Sequence, residues 1–279
     1  MEINIKKFVE LGKTVRKDII NMLFCAGSGH PGGSLSCVEL MVALYFKYLK
    51  HHSENPEWSE RDMVVFSKGH VCPTLYSCLA RSGYFPTDEL DTLRQSCSRL
   101  QGHPSSVSEL PGVEVATGSL GQGLSIASGM AIGFKLDKKD SKAYALLGDG
   151  ELQSGQIWEA VMTAAQFKLN NLCAIVDNNK IQIDGFTEDI KSVEPLASKF
   201  KSFGWHVLEV DGHKYSEIFA AYDEFLAANL DKPTVIIAET IKGKGVSFME
   251  NKAGWHGKAP NSEEKELALQ EIEEKDLGV

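Results

Sequence analysis

The chain has 279 residues, of which 43% are apolar and 24% charged, with a net charge of −9. That length supports one large domain with a proper core, and the composition is that of a globular protein, without an apolar run of membrane-spanning length. The acidic balance excludes nucleic acid as a main partner, because phosphate-backbone binding needs a basic surface. It leaves room for a small phosphorylated ligand, which needs only local positive charge.

The first residues are amphipathic and of mixed charge and lack the pattern of a secretory signal, so the expected location is cytoplasmic. The apolar positions Phe8, Leu11, Val15, Ile19 and Leu23 form a helical stripe over residues 8–24, broken by Gly27 and Gly29. A second helix is predicted over 38–49. Met63 to Phe66 reads as a short strand that runs into Ser67-Lys68-Gly69-His70. Residues 118–133, rich in Gly, Ser and Ala, read as a tightly packed buried helix. Tyr144 to Leu147 is a strand ending at Gly148-Asp149-Gly150, followed by a helix with Ile157, Val161 and Ala164 on one face. Leu172 to Val176 is a strand ending at Asp177-Asn178-Asn179. Val207 to Val210 and Val235 to Ala238 are two more, with an apolar helix at 216–229 between them. The acidic stretch 261–279 opens on Asn261 with Glu264 three residues on, a helix start signal, and reads as a solvated tail behind a single domain spanning 1–260.

Short apolar strands separated by helices define the fold class: α/β, a parallel sheet with helices on both faces. Ligands of such sheets bind beyond the carboxyl ends of the strands. The six cysteines (Cys25, Cys37, Cys72, Cys78, Cys97 and Cys173) have no Cys-x-x-Cys spacing and read as buried free thiols.

The sharpest motif is Gly148-Asp149-Gly150 with Asn178-Asn179 downstream, each at the end of an apolar strand. A single right-handed crossover brings both strand ends to one edge of the sheet. Asp149 then offers a carboxylate oxygen and Asn179 an amide oxygen, donors that suit magnesium shared with phosphate and water. Gly150 lets a phosphate approach the backbone, and the following helix start presents free N–H groups.

Four of the eight histidines lie in glycine- or proline-flanked loops: His30, His70, His103 and His256. Imidazoles gathered at one site can donate to and accept from sugar hydroxyls and move protons near neutral pH. Zinc is the competing use, but compact ligand spacing is missing. His51, His52, His206 and His213 have no such setting and read as structural or exposed.

Gly-Asp-Gly with a downstream Asn-Asn resembles the signature of thiamine-diphosphate enzymes. The ordered series Ser-Gly-His-Pro-Gly-Gly, Ser-Lys-Gly-His, Gly-His-Pro, Gly-x-Leu-Gly-Gln-Gly, Gly-Asp-Gly, Asn-x-Ile, Lys-Gly-Lys-Gly and Trp-His-Gly resembles transketolase over nearly the whole chain. The resemblance implies thiamine diphosphate as cofactor and magnesium as metal, with calcium or manganese as substitutes. It implies metal ligation by Asp149, Asn179 and the backbone carbonyl of Ile181. It places His30, His103 and His256 on the substrate, and His70, Gly118, Ser119, Leu120 and Gly150 around the cofactor, with Lys242 and His256 reaching its diphosphate. Many relatives have Pro at Ser119.

In the family the glutamate that promotes cofactor activation sits on a second, pyrimidine-binding domain, and the chain stops soon after Trp255-His256-Gly257. The resemblance therefore implies the N-terminal subunit of a split transketolase. A partner chain would carry the pyrimidine domain in a two-plus-two assembly that moves a two-carbon ketol unit from a ketose phosphate to an aldose phosphate. The alternatives are a deoxyxylulose-phosphate synthase half, a 2-oxo acid dehydrogenase alpha chain and a non-catalytic subunit. Relatives commonly carry Glu where this chain has Ser154, which implies weaker proton coupling between sites across the assembly.

Overall fold

The computed structural model describes residues 4–228, 230–275 and 277–278. The last residue of the helix expected at 216–229, residues 276 and 279 of the expected tail and the first three residues lie outside them.

Among the described residues five strands form one sheet: β1 (Met63–Phe66), β2 (Ala143–Gly148), β3 (Leu172–Asn178), β4 (His206–Asp211) and β5 (Thr234–Glu239). Their order is β1-β2-β3-β5-β4 and every pairing is parallel. All seven residues of β3 are buried, as expected of a central parallel strand covered on both faces.

Alternation along the strands feeds two separate cores. Tyr144, Leu146, Cys173 and Ile175 face one, packed with α1 (Ile5–Ala26), α3 (Val38–Ala43), α4 (Cys72–Arg81) and α9 (Tyr215–Ala227). Ala145, Leu147, Ala174 and Val176 face the other, packed with α5 (Gly123–Leu136), α6 (Gly155–Gln166) and α8 (Leu196–Ser202). The remaining helices are α2 (Pro31–Ser36), α7 (Thr187–Lys191) and α10 (Ser262–Glu274). Among the described residues no helix is long and apolar enough to cross a membrane.

The structure departs from the sequence reading in several places. The helix expected over 38–49 stops at Ala43 and continues as a π-helical turn, Leu44–Tyr48, closed by Leu49 N–H donating to Leu44 O at 2.8 Å. The short α2, fully buried, precedes it. Residues 118–122 are a loop, and α5 beyond them has one face open, with Gly129 exposed and Leu136 77% exposed. Cys25 and Cys97 are exposed, whereas the other four thiols are buried. The final helix is docked on one face: Asn261 and Glu264 form the expected capping box, Ala268 and Ile272 are buried, and Lys17 pairs with Glu273 across to α1.

A buried charged cluster ties α1 and α3 to the segment after β5. Arg16 Nη2 donates to both Glu39 oxygens, at 2.6 and 2.8 Å, and Arg16 Nε to Lys244 O at 3.1 Å. Glu39 Oε2 also faces His213 Nδ1 at 3.0 Å. His213 Nε2 accepts from Ile241 N–H at 2.8 Å, which puts the ring proton on Nδ1, toward Glu39.

Candidate active site

The carboxyl ends of β1, β2, β3 and β5 deliver Ser67-Lys68, Gly148-Asp149, Asp177-Asn178-Asn179 and Thr240-Ile241-Lys242 to one edge of the sheet. Register fixes the alignment: Gly148 lies opposite Asp177, and Asn178 opposite Glu239. Beyond this edge is a cavity of about 380 Å³, a volume suited to a cofactor-sized ligand.

Its lining includes His30, His70, His103, Gly118, Leu120, Asp149, Gly150, Asn179, Ile181, Lys242 and His256. Of the residues singled out from sequence, Ser119 alone is not on the wall; it is exposed beside it.

The four loop histidines converge. Ring centroids of His30 lie 5.0 Å from His70, 5.4 Å from His256 and 6.3 Å from His103, and His70 lies 5.4 Å from His256. Burial, reinforced by nearby cations, holds His30 and His256 at about 4. The same causes hold His70 well below its ordinary value, and burial with Arg94 lowers His103. All four are neutral at pH 7, so each offers one donor and one acceptor. Lys242 Nζ lies 2.8 Å from His256 Nδ1; an ammonium can only donate, so the ring proton of His256 is on Nε2. Among the described residues His30 Nδ1 is buried without a hydrogen-bond partner. Gly118 adopts φ +143, and a Cβ there would stand 3.0 Å from His103 Cδ2, so glycine lets this loop close against the imidazole.

A magnesium ion and a diphosphate fit what is here. Asp149 is 2% exposed. Its Oδ1 accepts from Gly150 N–H at 2.8 Å, but its Oδ2 is buried with no hydrogen-bond partner among the described residues, an open acceptor. Burial and the neighbouring Asp177 push its carboxyl up to about 6, the behaviour of a carboxylate built to receive a cation. Asn179 Oδ1 accepts from Ile181 N–H at 3.2 Å and keeps a second lone pair. Ile181 O accepts from Lys242 Nζ at 2.8 Å. One carboxylate, one carboxamide and one backbone carbonyl are the hard oxygen donors magnesium takes. Among the described residues no group of three His, Cys, Asp or Glu side chains converges as a metal site. Lys242 is 2% exposed and burial lowers it to about 8, so it remains largely a fixed cation for a phosphate at neutral pH.

The helix expected to follow Gly150 begins at Gly155. A 3-10 turn, Gly150–Gln153, comes first, capped by Asp149 itself. The turn puts Glu151 into the cavity floor. Glu151 Oε1 accepts from Gly121 N–H at 2.8 Å and from Ser67 Oγ, and its Oε2 from Gly148 N–H at 3.1 Å. One carboxylate thereby ties β1, β2 and the 118–122 loop together.

Sequence reading missed Glu151, and also Lys68 and Asp177, which form a buried ion pair whose lysine lines the cavity. Burial alone would push Lys68 down, yet Asp177 holds it above its ordinary value. The polar strand ends are the one sequence signal that marks these residues. His51, His206 and His213 stand apart from the cavity, bonded to Tyr84 and Tyr45, to Glu224, and to Glu39; His52 is exposed.

A parallel sheet whose strand ends carry Asp149, Asn179 and a buried lysine around one cavity defines a thiamine-diphosphate-binding domain. The family model for the transketolase thiamine diphosphate binding domain matches residues 6–272. The chain belongs to the transketolase family. It is 44% identical over 259 residues to a 6-deoxy-6-sulfo-D-fructose transketolase subunit of Clostridium sp. (strain MSTE9), covering 93% of this chain and 94% of that one. It is 43% identical over 260 residues to an apulose-4-phosphate transketolase subunit of Phocaeicola vulgatus, covering 93% and 92%. The crystal structure of Campylobacter jejuni transketolase superposes with a TM-score of 0.91 at 36% identity, covering 98% of this chain but 43% of that one. The chain thus spans less than half of that solved transketolase and nearly all of the two subunits.

Proposed function

We propose that this chain is the diphosphate- and metal-binding subunit of a two-chain transketolase, acting with a pyrimidine-domain partner in a two-plus-two assembly. Asp149 Oδ2, Asn179 Oδ1 and Ile181 O hold magnesium, and Lys242 and His256 grip the diphosphate. Thiamine diphosphate, when bound, supplies the carbanion chemistry of ketol transfer. The observation that carries this reading is the convergence of four neutral imidazoles on the cavity that also holds Asp149 and Asn179.

The residues of this chain bind, orient and move protons. His30, His103 and His256 present donors and acceptors to the hydroxyls and carbonyl oxygen of a ketose or aldose phosphate. Held neutral, His30 and His103 can take a hydroxyl proton and return it without a prior ionisation, whereas His256, its Nδ1 engaged by Lys242, offers its Nε2–H as a donor. The depressed basicity of His30 favours the release step over retention. Leu120 and Ile183 on the cavity wall are 45% and 66% exposed, and Phe186 and Ile190 nearby are 48% and 44% exposed. These apolar side chains are suited to the partner subunit, which would close the cavity and exclude water.

The decisive experiment supplies thiamine diphosphate and magnesium and measures ketol transfer between sugar phosphates, for the chain alone and with its co-purifying partner. Transfer only in the presence of both chains is expected. Turnover by the chain alone would remove the partner requirement. Carbon dioxide released from pyruvate would assign the chain to a decarboxylating relative instead. Relatives named for a sulfosugar and for apulose 4-phosphate make modified sugars the first acceptors and donors to test beside pentose phosphates.

A further inference from the structure

The metal position depends on a carboxamide presenting oxygen rather than nitrogen, and nothing in an amide's own shape enforces that choice. Asn179 Nδ2 lies 3.1 Å from Asp177 Oδ2. Asp177 is wholly buried, and donors surround it: the Lys68 ammonium and the Ser36 hydroxyl at Oδ2, and the Thr240 hydroxyl at Oδ1. With donors on both oxygens, the carboxylate acts as acceptor throughout and can face only the NH2 side of Asn179. The Asn179 oxygen is left on the other branch, where Ile181 N–H meets one lone pair.

We infer that Asp177, clamped by Lys68, Ser36 and Thr240, is a positioning residue that fixes the rotation of the Asn179 carboxamide so that its oxygen meets the metal. The inference rests on the cofactor reading above and adds to it a residue that touches neither metal nor substrate. The four residues come from α2, the end of β1, β3 and the end of β5, so the clamp also sets the spacing of the strand ends that bear the site. An amide released from it can turn its NH2 toward the cation, replacing attraction with repulsion.

The test uses the full chain, alone and in its two-chain assembly, with thiamine diphosphate present. Free Mn²⁺ is followed by electron paramagnetic resonance and the unfolding midpoint is measured separately without metal. Asp177→Asn gives the amide a carboxamide to face and should weaken Mn²⁺ binding about 10–100-fold, the usual cost of an outer-sphere partner. This variant leaves Lys68 buried without its counter-ion and lowers the midpoint. The double variant Lys68→Met/Asp177→Asn removes both charges; its midpoint should recover while Mn²⁺ binding stays at least about tenfold weak. A purely structural role for Asp177 would restore both together. Mn²⁺ affinity within about threefold of wild type in the folded double variant overturns the inference. If neither variant folds, Thr240→Val removes one donor and Thr240→Ser keeps it. Weakening by Val that Ser does not share supports the clamp, and equal affinities overturn it. Absence of Mn²⁺ uptake by the wild-type assembly would overturn the cofactor reading itself, an outcome distinct from intact uptake with an indifferent Asp177.

Discussion

Replacing Glu39 by Gln should cost the chain about 3 kcal/mol, although the change is one atom. Glu39 is wholly buried between Arg16, itself 1% exposed, and His213. Burial alone would raise its carboxyl, yet Arg16 and His213 hold it at about 2 against an ordinary 4.5. By linkage that displacement corresponds to about 3 kcal/mol of preference for the ionised form in the folded state. Independently, breaking a buried pair by removing one partner costs roughly 3–5 kcal/mol. The two routes agree on magnitude. The contribution is fully present above pH 4.5 and is lost as pH falls toward 2, because the folded value lies below the unfolded one. Glutamine keeps one acceptor but turns an NH2 toward Arg16 or His213. At roughly 2–4 °C per kcal/mol for a chain of this size, the midpoint should fall by about 6–12 °C. Circular dichroism melts at pH 7, with denaturant titrations for the free energy, provide the measurement. Arg16→Met/Glu39→Leu, which removes both charges, should recover most of the loss. A Glu39→Gln loss below about 1 kcal/mol would refute the reasoning, since it would mean Arg16 finds other compensation inside the core.

Asp149→Ala should abolish magnesium-dependent thiamine diphosphate binding, read by calorimetry, while leaving the midpoint without ligand unchanged or raised, because an unpartnered buried oxygen is removed. Gly118→Ala places a methyl 3.0 Å from His103 Cδ2 at φ +143; it should cost about 1–3 kcal/mol of strain and lower kcat more than stability, and wild-type kinetics would contradict the close approach. With His30 and His256 at about 4 in the fold against an ordinary 6.5, the unfolded chain binds more protons between those values. Stability should therefore fall as pH drops from 6.5 to 4, less steeply in His30→Gln/His256→Gln, and parallel pH profiles would count against the assignment. Ser154→Glu should strengthen communication between paired active sites in pre-steady-state kinetics; unchanged site equivalence would show that this position carries no coupling.

The inner strands are legible in the sequence because a parallel strand buried on both faces must be apolar along its middle, and the edge strand β4, only partly buried with Glu209 exposed, is legible from Val207, Leu208 and Val210 alone. Met63 to Phe66 is bounded to the residue, and the other four extend by one or two residues at their ends. The convergence of the histidine loops is legible from their glycine and proline settings together with the strand-end motif. What stays hidden depends on partners far apart in sequence. Lys68 and Asp177 are 109 positions apart, and neither betrays its burial, since a charge at a strand end reads as solvated until its counter-ion is located. Glu151 escapes notice because the turn after Gly150 reads as a helix start, and a 3-10 turn aims that side chain inward. The α2 segment escapes because Pro-Gly-Gly-Ser is loop composition, and only enclosure by neighbouring elements makes it helical.

The strict division of β2 and β3 between two cores bears on how this domain can change length. Each residue of β3 from Cys173 to Val176 faces the opposite core from the one before it. A single inserted or deleted residue there would exchange the two faces and displace Asn179 from the sheet edge at once. Gains and losses of chain are therefore confined to the connections, such as the segment between α4 and α5 or the turn that follows Ile181. A lineage can rework the cavity's walls by lengthening those connections while the donors at its floor stay counted in fixed steps from the strands.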